Sequence, residues 1–369
     1  MKTIYSKKHY LHNSLTELSG GQLVKPFESP ERIEFILNEI LQRKLGSVYE
    51  ATNQNLDIVF KVHDKNYINF LETAWTDWTK EGFLGEAIPT VWPSRSMNSK
   101  IIPHNIEGKL GYYCLANETS ISQGTIEAAY ESVRVVLTAV EMLKGEKSIF
   151  ALCRPPGHHA SKDQYGGYCF FNNIAIAAEK LIEEGAKKIA ILDIDFHHGN
   201  GTQEIFYNRS DVFFISLHGD PMEAFPHFLG HADEKGMAEG EGYNLNYPMP
   251  PNTTYHLWKK NLNNAISNVK KFSPNFLLIS LGVDTFEKDP NDPLGFVWTE
   301  VYADSSALIF HLENPPLQKY LNDVSPLLDS FTVELYGSIS AEAVKMLRAT
   351  GTPTTHYETK FGYIRSLKP

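Results

Sequence analysis

Two periodicities run along this chain. Apolar residues recur at helical spacing over 30–45, where Ile33, Ile36, Leu37, Ile40 and Leu41 share a face, with Ser29 as the capping residue and Pro30 in the first position. The same spacing returns over 125–144 through Ala129, Val133, Val136, Leu137, Val140 and Leu143, and Gly145 stops it. Helices are also predicted over 173–184, ended by Gly185, and over 254–271. Between them lie continuous apolar runs, Ser148–Cys153, Lys188–Asp193, Val212–Leu217 and Asn275–Val283, that read as buried strands. Residues 58–71 suggest one more short strand running into a helix.

Apolar strands alternating with amphipathic helices predict an α/β fold with a central parallel sheet flanked by helices on both faces. No repeat, low-complexity tract or Ser/Gly linker divides the chain, so a single domain over 1–369 is expected. Residues 85–123 break the pattern. Rich in Pro, Ser, Asn and Gly, they form a long irregular insertion of the kind that usually serves function. In sheets of this class ligands bind beyond the carboxyl ends of the strands.

Composition adds little to this picture and excludes some classes. Hydrophobic residues make up 42% of 369, enough for a sizeable core. The formal charge of −10 argues against a nucleic-acid surface and leaves room for a cationic ligand, although many soluble enzymes are as acidic. Met1–His9 runs into polar sequence without an apolar signal core, and no stretch approaches the roughly 20 apolar residues that span a bilayer. A cytoplasmic protein without a membrane partner is expected. Cys114, Cys153 and Cys169 lack CxxC spacing and sit in apolar or aromatic surroundings, so they read as small buried thiols.

The chemistry falls where the strands end. Arg154-Pro-Pro-Gly-His158-His159-Ala160 follows the first strand and Asp193-Ile-Asp195-Phe-His197-His198-Gly-Asn200-Gly201 the second. His218-Gly-Asp220 follows the third and Asp284-Thr-Phe286 the fourth. Packing alone does not explain four polar loops on one sheet edge. In extended backbone Asp195 and His197, two apart, point the same way and reach one divalent ion, and Asp284 closes the set from a neighbouring strand. Three protein ligands leave a position open, as in catalytic rather than structural sites. The plainer alternative is a row of solvated polar strand ends.

These segments, with Gly166-Gly-Tyr-Cys-Phe-Phe-Asn-Asn173 and Leu281-Gly-Val-Asp-Thr-Phe286, resemble the zinc-dependent histone deacetylase family. Thr16–Phe27, Phe70–Trp75, Ile106-Glu-Gly108 and Ala224–Gly230 are similar to its bacterial acetylpolyamine amidohydrolase branch. The resemblance implies an arginase/deacetylase-like fold and zinc, or Fe2+ or another divalent ion, on Asp195, His197 and Asp284. It implies His159 as general base and acid, His158 as its electrostatic partner, Asp193 orienting His158, and Asn200 beside His159. A neutral Asn there should leave His159 less basic than an Asp would. Gly167, Tyr168 and Phe225 match the walls of a narrow channel, and a structural potassium would involve Asp193, Asp195, His197, Ser216 and Leu217.

The implied activity is deacetylation of small cationic amines such as acetylpolyamines by a homodimer. Glu107 and Glu118, in the 85–123 insertion near the mouth, are candidate partners for a distant ammonium. Two departures stand out. The resemblance fades over 290–369, and the family's Glu-Gly-Gly-Tyr motif is absent; its nearest counterpart is Thr332-Val-Glu-Leu-Tyr336-Gly337. Tyr336 is either the oxyanion-binding tyrosine or an ordinary strand residue. The alternatives to a polyamine deacetylase are a protein acetyl-lysine deacetylase and a weakened homologue that binds zinc and ligand without efficient turnover.

Overall fold

The computed structural model describes residues 1–282 and 284, together with 333–336, 340–349, 354–360 and 363–366. The chain divides into two compact units, Met1–Gly295 and Phe296–Pro369. In the first unit β1 (Lys2–Tyr5), β2 (Glu17–Ser19), β3 (Gln22–Val24), α1 (Glu31–Gln42) and β4 (Val48–Glu50) come first. They are followed by α2 (Val59–Val62), α3 (Lys65–Lys80), α4 (Ile106–Tyr113), α5 (Thr125–Met142), β5 (Ile149–Ala151) and α6 (Asn173–Glu183). Then come β6 (Ile189–Asp193), α7 (Asn200–Phe206), β7 (Val212–Gly219), β8 (Asn244–Met249), α8 (Tyr255–Phe272) and β9 (Phe276–Ser280).

The fold is α/β, with parallel sheets flanked by helices. One sheet has the order β8-β7-β6-β9 and a second the order β4-β1-β5, and every pairing in both is parallel. A small antiparallel hairpin joins β2 and β3. Alternate residues of β6 and β7 serve opposite faces. Ile189, Ile191 and Phe214 pack with residues of α5 and α6, whereas Ala190, Leu192, Ile215 and Leu217 pack with Ala265 and Val269 of α8. Full burial of each large side chain contributes about 1.5–3 kcal/mol, which is why these strands tolerate no polar interruption before Asp193.

The register sets up the functional edge. Asp193 pairs with Ser216 on one side and Ser280 on the other, so the chain leaves β6, β7 and β9 at one edge of the sheet. Side-chain caps start the helices: Asp64 accepts from the amide of Asn66, Asn105 from Glu107, Asn172 from Ala175 and Thr254 from Leu257.

Three local expectations change. The apolar run at 58–62 is helical, because Val59 and Val62 are buried at a spacing of three while Phe60 and Lys61 are exposed; so short a run fits either period. Ser29 does not cap α1 through its side chain. Pro30 takes the cap position in helical conformation, and Ser29 contributes its carbonyl to the amide of Arg32. The 85–123 insertion contains α4.

In the second unit β10 (Val333–Tyr336) pairs parallel with β11 (Thr354–Lys360), which pairs antiparallel with β12 (Tyr363–Ser366); α9 (Ala341–Ala349) lies between β10 and β11 in sequence. The side chain of Tyr336 lies outside the described residues. Among the described residues no helix is long and apolar enough to cross a membrane.

Candidate active site

Ligand-type atoms of Asp195, His197 and Asp284 lie within 4.8 Å of one another. The backbone bends over 195–197 just after β6 and brings the first two together, and the segment after β9 supplies the third. His197 Nδ1 is 2.9 Å from Asp284 Oδ2 and 3.4 Å from Asp195 Oδ1. The amides of Phe196 and His197 donate to Asp284 Oδ1 and Asp195 Oδ1, which orients both carboxylates. Burial disfavours the charged imidazole of His197, but the two carboxylates outweigh it and raise its pKa to about 10. Two carboxylates converging on one imidazole nitrogen form a donor set suited to a divalent cation.

The imidazole pair stands beside this cluster. The rings of His158 and His159 are 4.0 Å apart, and His158 Nε2 is 3.9 Å from Asp195 Oδ1. Each ring has its Nδ1–H committed: His158 donates to Asp193 Oδ2 at 2.9 Å and His159 to Asn200 Oδ1 at 2.7 Å. Each Nε2 is thereby left for other partners. The two histidines differ in charge environment. Burial opposes protonation of His158, but Asp193 and Asp195 prevail and raise it to about 9. Burial pushes His159 well below its ordinary value, and His158 and His197 push it further. A cation among the three ligand-type residues would offset much of the attraction that His158 feels.

Glycines allow this crowding. A Cβ on Gly199 would overlap the Asp193 carboxylate, and one on Gly167 the His159 ring. The start of α7 docks on the histidine loop through the amides of Gly201 and Thr202, which both donate to the His158 carbonyl. From the other side Asn172 Nδ2 donates to the carbonyl of Ala160.

Phe225 and Gly167 border the pair: the Phe225 ring meets His159 edge-on at 5.0 Å and His197 at 6.1 Å. Tyr168 adopts φ +65° and is held at both ends. Its amide donates to Thr119 Oγ1 and its hydroxyl to Glu17 Oε1, each at 2.8 Å. Glu118 Oε1 accepts from the amide of Gly167 at 2.7 Å, so it braces this segment. Glu17, Glu28, Glu118 and Tyr168 together line a small cavity. Glu107 stands exposed in the first turn of α4, and among the described residues no hydrogen bond or ion pair ties its carboxylate to the cluster. Ser216 lies beside Asp193 in register, with its hydroxyl on His218 Nδ1.

Neither Glu17 nor Thr119 stands out in the sequence as a site residue. Glu17 lies in a three-residue strand with no chemical pattern of its own, and only burial beside Tyr168 marks it.

A model of the histone deacetylase domain matches residues 26–315. The chain belongs to the histone deacetylase family. It is 53% identical over 291 residues to the acetylpolyamine amidohydrolase of Mycoplana ramosa, covering 79% of this chain and 85% of that one. It is 45% identical to acetylpolyamine amidohydrolase 2 of Pseudomonas aeruginosa, over 79% and 84% of the two chains. The crystal structure of the acetylpolyamine aminohydrolase from Burkholderia pseudomallei superposes with a TM-score of 0.73 at 34% identity, over 79% of this chain and 84% of that one. Membership in this deacetylase family marks the protein as a hydrolase.

Proposed function

We propose that this protein is a metal-dependent amidohydrolase that deacetylates acetylated polyamines. The observation that carries it is the Asp195–His197–Asp284 donor set beside the His158–His159 pair, with Asp195 Oδ1 3.9 Å from His158 Nε2. The names of the Mycoplana ramosa and Pseudomonas aeruginosa relatives support the substrate class. Held by these three side chains, zinc, or Fe2+ or another divalent ion, would supply Lewis-acid polarisation of the amide carbonyl and of a water.

The rest of the chemistry belongs to the chain. His159, neutral and with Nδ1–H on Asn200, presents Nε2 to take the proton of the attacking water and return it to the leaving amine. His158, held by Asp193, acts as the electrostatic partner of the negative charge that develops on the amide oxygen. Gly167, Tyr168 and Phe225 wall a slot that accepts a methylene chain and excludes bulk. Glu118, which braces the Gly167–Tyr168 segment, and the exposed Glu107 of the 85–123 insertion are the candidate partners for a distal ammonium. A potassium held by Asp193, Asp195, His197, Ser216 and Leu217 would have a structural role. A cytoplasmic homodimer, with 1–369 as one domain, completes the proposal.

The test compares kcat/KM on acetylputrescine and acetylcadaverine with that on an acetyl-lysine peptide, before and after metal removal by a chelator. Higher efficiency on the diamines, lost with the metal and restored by zinc, is expected. Preference for the peptide would overturn the polyamine assignment, and full activity after verified metal removal would overturn the metal-dependent mechanism.

A further inference from the structure

The segment that carries Phe225 to the histidine pair ends at Gly230, where a partly buried hydrogen-bond network converges. Gly230 has φ +103°, and a Cβ on it would stand 2.8 Å from His198 Cγ and 2.9 Å from His218 Nε2. Both of its backbone polar groups are taken by side chains. Its carbonyl accepts from His218 Nε2 at 2.9 Å, so His218 is the Nε2–H tautomer and its Nδ1 accepts from the Ser216 hydroxyl at 2.8 Å. Its amide donates to Glu234 Oε2 at 2.9 Å.

That same oxygen accepts from Gln203 Nε2 at 2.6 Å. Gln203 Oε1 in turn faces His198 Nε2 at 3.1 Å and accepts from Asn244 at 2.9 Å and Asn246 at 2.8 Å. An unbroken chain of bonds therefore runs from α7, β7 and β8 to one glycine. Between Phe225 and Gly230 the side chain of Pro226 is buried, and the three residues that follow it are exposed. Phe228 is 87% exposed and Leu229 is also exposed, and the amides of His227 and Phe228 bond only within the turn.

We propose that Glu234 and His218 are positioning residues that fix Gly230, and thereby the distance of Phe225 from His159, so that a partly buried polar network sets the width of the substrate channel. This rests on the amidohydrolase reading, in which Phe225 is a channel wall. Releasing Gly230 lets the Phe225 segment move outward. Short acetylated amines then bind less well and bulkier acyl groups are better tolerated, while the histidine pair keeps its own partners.

The experiment compares the full-length wild type with Glu234→Ala and Glu234→Gln, on acetylputrescine and butyrylputrescine, with amide hydrogen exchange read at Gly230, His227 and Phe228. For Glu234→Ala, KM for acetylputrescine should rise about fivefold to tenfold with kcat within about twofold, because one half-buried hydrogen-bond acceptor is lost while the reacting groups are untouched. The butyryl-to-acetyl ratio of kcat/KM should increase, and Gly230 exchange should accelerate. Glu234→Gln keeps an oxygen that can accept from both Gly230 and Gln203, and should restore wild-type behaviour. If Glu234→Ala does not fold, Glu234→Asp, whose shorter reach withdraws the acceptor, makes the same comparison. An unchanged KM with unchanged exchange, or a Gln variant as impaired as the Ala variant, would overturn the proposal. If even the wild type hydrolyses no acylated amine, the functional reading has failed, and the exchange at Gly230 alone decides whether Glu234 holds the segment.

Discussion

His159 directs Nδ1–H at the neutral amide oxygen of Asn200, 2.7 Å away, while the adjacent His158 directs the same atom at the carboxylate of Asp193. Two neighbouring imidazoles thus receive different electrostatic support from side chains of nearly the same shape. Burial and the neighbouring His158 and His197 lower His159, whereas Asp193 and Asp195 raise His158 against burial, so the two rings are pushed in opposite directions.

Asn200→Asp should remove that distinction. A negative partner raises the basicity of His159, and a general base works only when neutral, so the rate falls at a higher pH. The acidic limb of the kcat/KM profile should move up by on the order of one pH unit. Profiles of wild type and variant measure this directly; a limb that stays in place or moves down would remove Asn200 from control of His159.

Gly167→Ala should damage activity more than stability. Gly167 has φ +54°, and a methyl group there occupies the space of the His159 ring. Alanine in this conformation costs about 1 kcal/mol or more, and the ring must also shift from its bond to Asn200. At least a tenfold loss in kcat/KM, with a fall of a few degrees in melting temperature, is expected. Wild-type kinetics in the variant would show that the ring accommodates the methyl group freely.

Acid should destabilise the fold through His63. This buried ring accepts from the amide of Asn172 at 2.9 Å, so it is neutral, with Nδ1–H on the Ser161 carbonyl at 2.8 Å. Burial lowers it from its ordinary 6.5 to about 4, against the opposing pull of backbone hydrogen bonds. Between those values the unfolded chain binds a proton that the folded chain refuses. Stability from this group is therefore complete above about pH 6.5 and is lost as pH falls toward 4. The urea midpoint should decline from pH 7.5 to pH 4.5, and His63→Gln, which cannot titrate, should decline less. His218, lowered to about 4 by burial, still titrates in that variant and leaves it a residual slope. Equal slopes in wild type and His63→Gln would contradict this account.

Much of the parallel architecture was legible in the sequence because strands buried on both faces admit almost nothing but apolar residues. The runs ending at Asp193 and Leu217 show this, and polar residues begin where the strands leave the core. The nearness of Asp195 and His197 was readable from their spacing, but the reason was not: the backbone bends over 195–197, with the His197 amide on Asp195 Oδ1, rather than staying extended. Strand β1 was not legible: Lys2-Thr-Ile-Tyr5 has a mixed pattern, and only its neighbours β4 and β5 make it a strand. Local sequence also misassigned 58–62, where a short run broken by Lys61 fits both periods until burial selects one.

What only the tertiary structure decided is which distant side chains meet. Tyr168 finds Glu17 across 151 residues, Gly167 finds Glu118 across 49, and Gln203 joins Asn246 across 43. Each pairing depends on where whole elements pack, and a hydrogen bond needs partners within about 3 Å, a distance that no local periodicity encodes. The sequence by itself supplied the residues at the strand ends; the packing of the elements around them decided which neighbours hold each one in place.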